Sequence, residues 1–456
     1  MVEEIYKYSF EGIYLEEFSS KLLKKLSEFF DTVILNSYLS YSQRYRFSNN
    51  LIDVSKLVFT DHIDIFVEKG GKYLSLKVSN VMTKNLEDVV SDVLNQYSVK
   101  YEVEERYSHP DVVGEIYDIV PQTFNEDVFN EDRHVDMLDM ILNYEGRNVK
   151  RLSGVFSAEA EKHIIMTSYN VKGEYKSSRF LFRVRGFKDK DISLTDVDVS
   201  VDIDPSRYVN ILNQIDEGLG YVDYISTVDE GRYNVVFSPQ AFGNLLFYMG
   251  YLLSGYFYVR NMSPFSGMLN SDVSSPDICV YDDPRMEGAP DIATFDEEGI
   301  ATRKTIYIED GILKDLALNT LIARKLERES NGHAGIITPF PYPLIYESKN
   351  SVKGGFNEMI SDVGKGIYIS NVWYTRFANF REGSLSTLQR DVGLYIDDGE
   401  VKGAFTGARI SLNIKDLVSK VISVSSESKW VLPWDVWSPA KTGYVALEDI
   451  EITTGF

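Results

Sequence analysis

Thr32-Val-Ile-Leu-Asn-Ser-Tyr-Leu39, Tyr41-Ser-Gln-Arg-Tyr-Arg-Phe47, Leu51-Ile-Asp-Val-Ser-Lys-Leu-Val-Phe59, Asp61-His-Ile-Asp-Ile-Phe-Val67 and Tyr73-Leu-Ser-Leu-Lys-Val78 form a nearly continuous succession of β-rich runs. Lys69-Gly70-Gly71 separates the last two, and glycine permits the positive φ of a tight hairpin. Ahead of these runs, Leu15, Phe18, Leu22, Leu26 and Phe29 recur at steps of three and four, which predicts a helix over 15–30 with one buried face. A second helix is expected at about Lys84 to Gln96. Helix, antiparallel meander and helix make an α+β unit.

The same plan returns downstream. A helix near Leu138 precedes expected strands at Gly154–Ala160, His163–Asn170, Glu174–Arg185 and Ile192–Ile203, and Asp204-Pro205-Ser206 supplies an N-cap and first-turn proline for a helix reaching Asp216. Residues 98–135 are poorly patterned and read as a connection or flap. Beyond Gly218, Thr305–Ile308 and Ile312–Leu318 flank Asp310-Gly311, while Gly393–Ile396 and Val401–Phe405 flank Asp398-Gly399: two hairpins. A helix at Asn319–Arg328, Pro339-Phe-Pro-Tyr-Pro343 and Val363-Gly-Lys-Gly366 lie between them, where a loop-rich groove is expected. The expected domains are 1–100, 101–217 and a β-rich 218–456.

Composition narrows the function. The 456 residues are 44% hydrophobic and 25% charged, typical of a globular protein large enough to need no disulfide. Lys+Arg number 47 against 69 Asp+Glu, a net −22 that repels phosphate backbones and anionic lipid, so neither nucleic acid nor membrane is an expected partner. Lys21–Lys25 reads as the solvated face of the first helix. The lone Cys279 excludes an intrachain disulfide and any Cys-x-x-Cys site. The N-terminus carries no apolar signal run, and cytoplasmic residence is expected. Phe237–Val259 has no charged residue, yet Pro239, Gln240, Asn244, Ser254 and three glycines interrupt it; it reads as a buried core helix rather than a span.

Common catalytic motifs are missing. His62, His109, His134, His163 and His333 show no paired zinc-ligand spacing, Gly364-Lys365-Gly366 fails the phosphate-loop pattern, and Ser266-Gly267 reads as a turn. The acids from Asp282 to Glu298 lack EF-hand spacing and read as solvated turns.

The succession Val236-Phe-Ser-Pro239, Pro264-Phe-Ser-Gly267, Ser275-Pro276, Phe295-Asp-Glu-Glu-Gly-Ile-Ala-Thr-Arg303, Ile308-Glu-Asp-Gly-Ile-Leu313, Ala323-Arg-Lys-Leu326 and Gly332-His-Ala-Gly335 resembles the TldD/PmbA family of gyrase-modulator peptidases. The resemblance is specific over roughly 220–456. TldD-type members carry His-Glu-x-x-x-His in the helix after the Pro turn, plus a C-terminal cysteine, and hold zinc with them. Here those positions fall on Phe247, Tyr248 and Leu252, with Thr442 where the cysteine commonly stands. The resemblance therefore implies a TldE/PmbA-type subunit with no zinc or other cofactor of its own and no catalytic residue. Zinc would sit in a TldD-type partner, and the pair would enclose a chamber for unfolded or flexible peptides; the isolated chain could form a homodimer. Phe265, Ser266, Gly267, His333 and Gly335 are the candidate peptide-groove residues. Two alternatives stay open: a self-sufficient metal-dependent hydrolase using the acids from Asp282 to Glu298 or His333, and a peptide- or glycan-binding protein without catalysis.

Overall fold

The computed structural model describes residues 10–98, 124–222 and 225–454. Two asparagines turn the first hairpin: Asn49 and Asn50 take φ of 51° and 59°, the left-handed geometry that a two-residue hairpin requires and asparagine tolerates. They join β1 (Thr32–Ser48) to β2 (Leu51–Lys69), and Gly70-Gly71 joins β2 to β3 (Lys72–Ser79). The four runs expected between Thr32 and Val67 are thus two long strands. Ser40 and Thr60 do not interrupt them because they pair with each other across the hairpin, and Ser40 pairs again with Glu161.

Two expected strands likewise merge in β4 (Arg151–Thr167), followed by β5 (Lys172–Phe187) and β6 (Ser193–Ser200). All six strands form one antiparallel sheet in the order β3-β2-β1-β4-β5-β6. The β1–β4 ladder therefore crosses the expected boundary near residue 100, and segments 1–100 and 101–217 share a sheet. The expected flap lies largely outside the described residues; within 124–135 the chain makes a short turn of 3-10 helix, Glu126–Phe129, and enters a helix.

Alternation decides what each face of this sheet meets. Leu39, Tyr41, Tyr45, Phe47, Phe156, Ala158, Phe180 and Phe182 point one way and share a core with α1 (Ile13–Leu26), α2 (Leu86–Ser98), α3 (Glu131–Leu142) and α4 (Pro205–Gly220). The intervening residues point toward the C-terminal half.

There, strands 366–379, 231–237, 445–454, 408–413 and 384–397 pair in that order, and the last returns to pair with the first, closing a ring. A six-stranded sheet lies beside it. The apolar segment is α5 (Pro239–Leu252), almost wholly buried and opened by Ser238, whose hydroxyl accepts the Ala241 N–H at 3.1 Å. Among the described residues no helix is long and apolar enough to cross a membrane. Both Asp-Gly hairpins form, with positive φ at Asp310-Gly311 and Asp398-Gly399. The strand after Gly311 ends at Leu313, short of the expected Leu318, because Ala317 leaves the sheet to exchange backbone hydrogen bonds with Leu253 and Gly255 beyond α5. The fold is α+β with a β-rich C-terminal half.

Candidate functional site

The inner face of the six-stranded sheet floors a cleft of about 860 Å³, roofed by residues 291–297, 333–343 and 437–438. Register arranges the floor in cross-strand rows. Tyr38, His163 and Tyr175 form one row, Ser40, Glu161 and Ser177 the next, and Ser42, Glu159 and Arg179 the third. Tyr38 lies stacked between His62 and His163, with ring centroids 4.7 and 4.2 Å away, and Phe295 closes on His163 and Tyr175 from above at 4.9 and 5.1 Å.

Arg179 ties floor to roof. Its Nε donates to Glu159 Oε2 at 2.8 Å, and its other arm donates to Asp291 Oδ2. Burial raises the Glu159 carboxyl, but the Arg179 and Arg44 guanidiniums outweigh it and hold the group below its ordinary value. Asp291 is held above its ordinary value by burial, with Arg179 opposing. Glu161 sits differently. Among the described residues it accepts a long hydrogen bond from Ser40 Oγ, 3.4 Å, and burial, reinforced by Asp291, pushes its carboxyl up to about 7. His163 is pushed down to about 3 by burial and by neighbouring His62, so its imidazole is neutral.

The acids from Asp282 to Glu298 were expected in solvated turns, and Asp282, Asp296 and Glu298 are instead buried fasteners. Asp282 accepts from Tyr307 Oη at 2.6 Å and the Tyr342 N–H at 2.9 Å, and faces His333 Nε2. Asp296 accepts the N–H groups of Glu298, Ile300 and Ala334 at 2.9, 2.9 and 3.0 Å, while Glu298 caps Thr320. Carboxylates spent on backbone donors order the 296–300 and 333–342 loops that roof the cleft.

Of the expected groove residues, His333 and Gly335 line this cleft and Phe265, Ser266 and Gly267 do not. Phe265 is buried in the C-terminal core, and Ser266 Oγ donates to the Tyr258 carbonyl at 3.0 Å. His333 is fully buried, with Nδ1 3.0 Å from the Asn331 carbonyl oxygen and Nε2 against Asp282, so both nitrogens are engaged. Sequence reasoning missed Glu159, Glu161 and Arg179, and placed Asp291 among the acids of solvated turns. The legible signal was polar alternation on two long strands, Ser40-Ser42-Arg44 and Glu159-Glu161-His163.

The positions that the resemblance assigns to zinc do not fit the metal. Phe247 packs edge-on against Tyr251 and Trp437, centroids 5.5 and 5.2 Å away, and Phe340 lies 6.0 Å off. Tyr248 donates its hydroxyl to the Thr375 carbonyl at 2.7 Å, Leu252 is buried in apolar core, and Thr442 Oγ1 donates to the Gly443 carbonyl at 3.1 Å. Hydrocarbon and weakly basic hydroxyl oxygens are poor zinc donors. Among the described residues no group of three or more His, Cys, Asp or Glu is placed to hold a metal ion.

Residues 230–454 match the PmbA/TldA metallopeptidase C-terminal domain. The chain carries a C-terminal domain of the PmbA/TldD family. Its relatives include a metalloprotease of Methanocaldococcus jannaschii, 21% identical over 76% of this chain and 80% of that one, and the metalloprotease PmbA of Escherichia coli O157:H7, 27% identical over 29% of this chain and 27% of that one. Among solved structures, TldE from Thermococcus kodakarensis superposes with a TM-score of 0.78 at 18% identity, covering 96% of this chain and all of the other. That likeness extends the family fold to the N-terminal sheet.

Proposed function

We propose that this PmbA/TldD-family chain is a zinc-less subunit that binds unfolded or flexible peptide in its interdomain cleft and acts in the cytoplasm beside a zinc-bearing TldD-type partner. The carrying observation is the chemistry of α5: where the resemblance places metal ligands and a carboxylate base, Phe247 and Leu252 are packing residues and Tyr248 is tied to a backbone carbonyl. None of the three can activate water.

The cleft suits a peptide strand. Its floor is hydroxyl-rich and its roof carries Phe340, Tyr342 and Trp437, so an extended chain would meet polar partners below and rings above. Phe247 backs Trp437 and Phe340, which joins the altered helix to the cleft wall. The independent-hydrolase reading is disfavoured because His333, Asp282, Asp296 and Glu298 are already committed to structural hydrogen bonds.

The test is to mix the purified chain with a TldD-type subunit from the same organism. A complex on size exclusion, together with altered cleavage of an unfolded peptide by that subunit, is expected. No complex and unchanged cleavage reject the partnership.

A further inference from the structure

Three carboxylates lie around Arg179, and they are not equivalent. Glu159 and Asp291 contact its guanidinium, whereas Glu161 forms no salt bridge within 4 Å among the described residues. Glu161 nevertheless lines the cleft. Its cross-strand neighbours on the same face are Ser40 and Ser177, side chains too short to cover it. One row away, roughly 7 Å along the strands, stand Tyr38, His163 and Tyr175, with Phe295 above them. A half-buried carboxylate that lines the cleft without a salt-bridge partner among the described residues suits a positively charged nitrogen, attracted by the acid.

We propose that Glu161, with Ser40 and Ser177 beside it, forms a subsite for a cationic nitrogen group of the bound peptide, either a lysine-type side chain or a free N-terminal amine. This rests on the peptide-cleft reading. The net charge of −22 adds a long-range pull on cationic peptides, whereas Glu161 is placed to discriminate locally. The groups facing it are Glu159 on its own strand, Arg179 and Tyr175 on β5, Tyr38 on β1 and Asp291 from the roof. With its carboxyl pushed up to about 7, Glu161 is mostly anionic at pH 8 and mostly neutral at pH 6.

The experiment measures fluorescence anisotropy with three labelled, flexible peptides of equal length: one N-acetylated and neutral, one N-acetylated with a central lysine, and one neutral with a free amine. At pH 8 the wild type should bind at least one cationic peptide about tenfold more tightly than the neutral one, and the two cationic arms identify the source. The preference should shrink at pH 6 and vanish in Glu161→Gln, while binding of the neutral peptide persists. Equal binding of all three overturns the subsite and leaves the cleft reading standing. A preference that survives in folded Glu161→Gln also overturns it, assigning the effect to the overall field. No binding of any peptide removes the cleft reading and the subsite with it. Should Glu161→Gln fail to fold by circular dichroism, the wild-type comparison of pH 6 with pH 8 decides.

Discussion

Arg179→Met removes a charge while keeping most of the apolar stem, which makes it a clean perturbation of the cleft. In the native chain the guanidinium satisfies Glu159 through Nε and a second nitrogen, both at 2.8 Å, and reaches Asp291 from the roof. The side chains of Arg179, Glu159 and Asp291 are 25%, 17% and 33% exposed, so water screens the cluster in part. Breaking a buried pair by deleting one partner costs about 3–5 kcal/mol; discounted for this exposure, about 2–3 kcal/mol is expected at pH 7. The pH dependence carries the sharper signature. Arg179 holds the Glu159 carboxyl low, so its share of stability is present above the ordinary carboxylate pKa and is lost as pH falls through the native value. Without Arg179 burial dominates and the native value rises above the unfolded one, so the variant's deficit should widen from pH 5 to pH 8. Urea unfolding followed by far-ultraviolet circular dichroism measures both. A deficit under about 0.5 kcal/mol that stays flat with pH would refute the claim that Arg179 compensates these carboxylates.

His163 makes a second prediction. Its native value of about 3 lies below the ordinary one, so its contribution is complete above about pH 6.5 and is lost as pH falls toward 3, with a slope of up to about 1.4 kcal/mol per pH unit. A His163→Gln variant should show a flatter acid limb in the same titration, and an unchanged limb counts against this assignment. Phe247→Ala opens space between Tyr251, Phe340 and Trp437, so a loss of about 3 kcal/mol and weaker peptide binding are expected in urea and anisotropy measurements. Dialysis of the isolated chain against a chelator should leave its melting temperature unchanged, since α5 offers no donor set; a drop of several degrees would locate a metal elsewhere.

Much of the fold was legible because local rules governed it. The Gly70-Gly71 and Asp-Gly turns, the Asp204 cap and the three- and four-step apolar spacing act within a few residues, and the elements read from them follow. Strand length was less legible: Ser40 and Thr60 look like breaks until their pairing across the hairpin is seen. The acids from Asp282 to Glu298 looked solvated for the same reason, since their backbone donors at 300, 334 and 342 come from other turns of the chain.

The residues of α5 determined on their own that Phe247 and Leu252 are unsuited to gripping a metal, because ligand chemistry belongs to the side chain. What only the tertiary structure decided is the cleft. Glu161 comes to line the cleft through the register of β1, β4 and β5, and Asp291 reaches Arg179 across 112 positions of sequence. Alternation tells which residues share a face, but the partner that covers that face is set by how two halves of the chain pack, and burial and neighbouring charge, which assign each carboxylate its behaviour, exist only once they have packed.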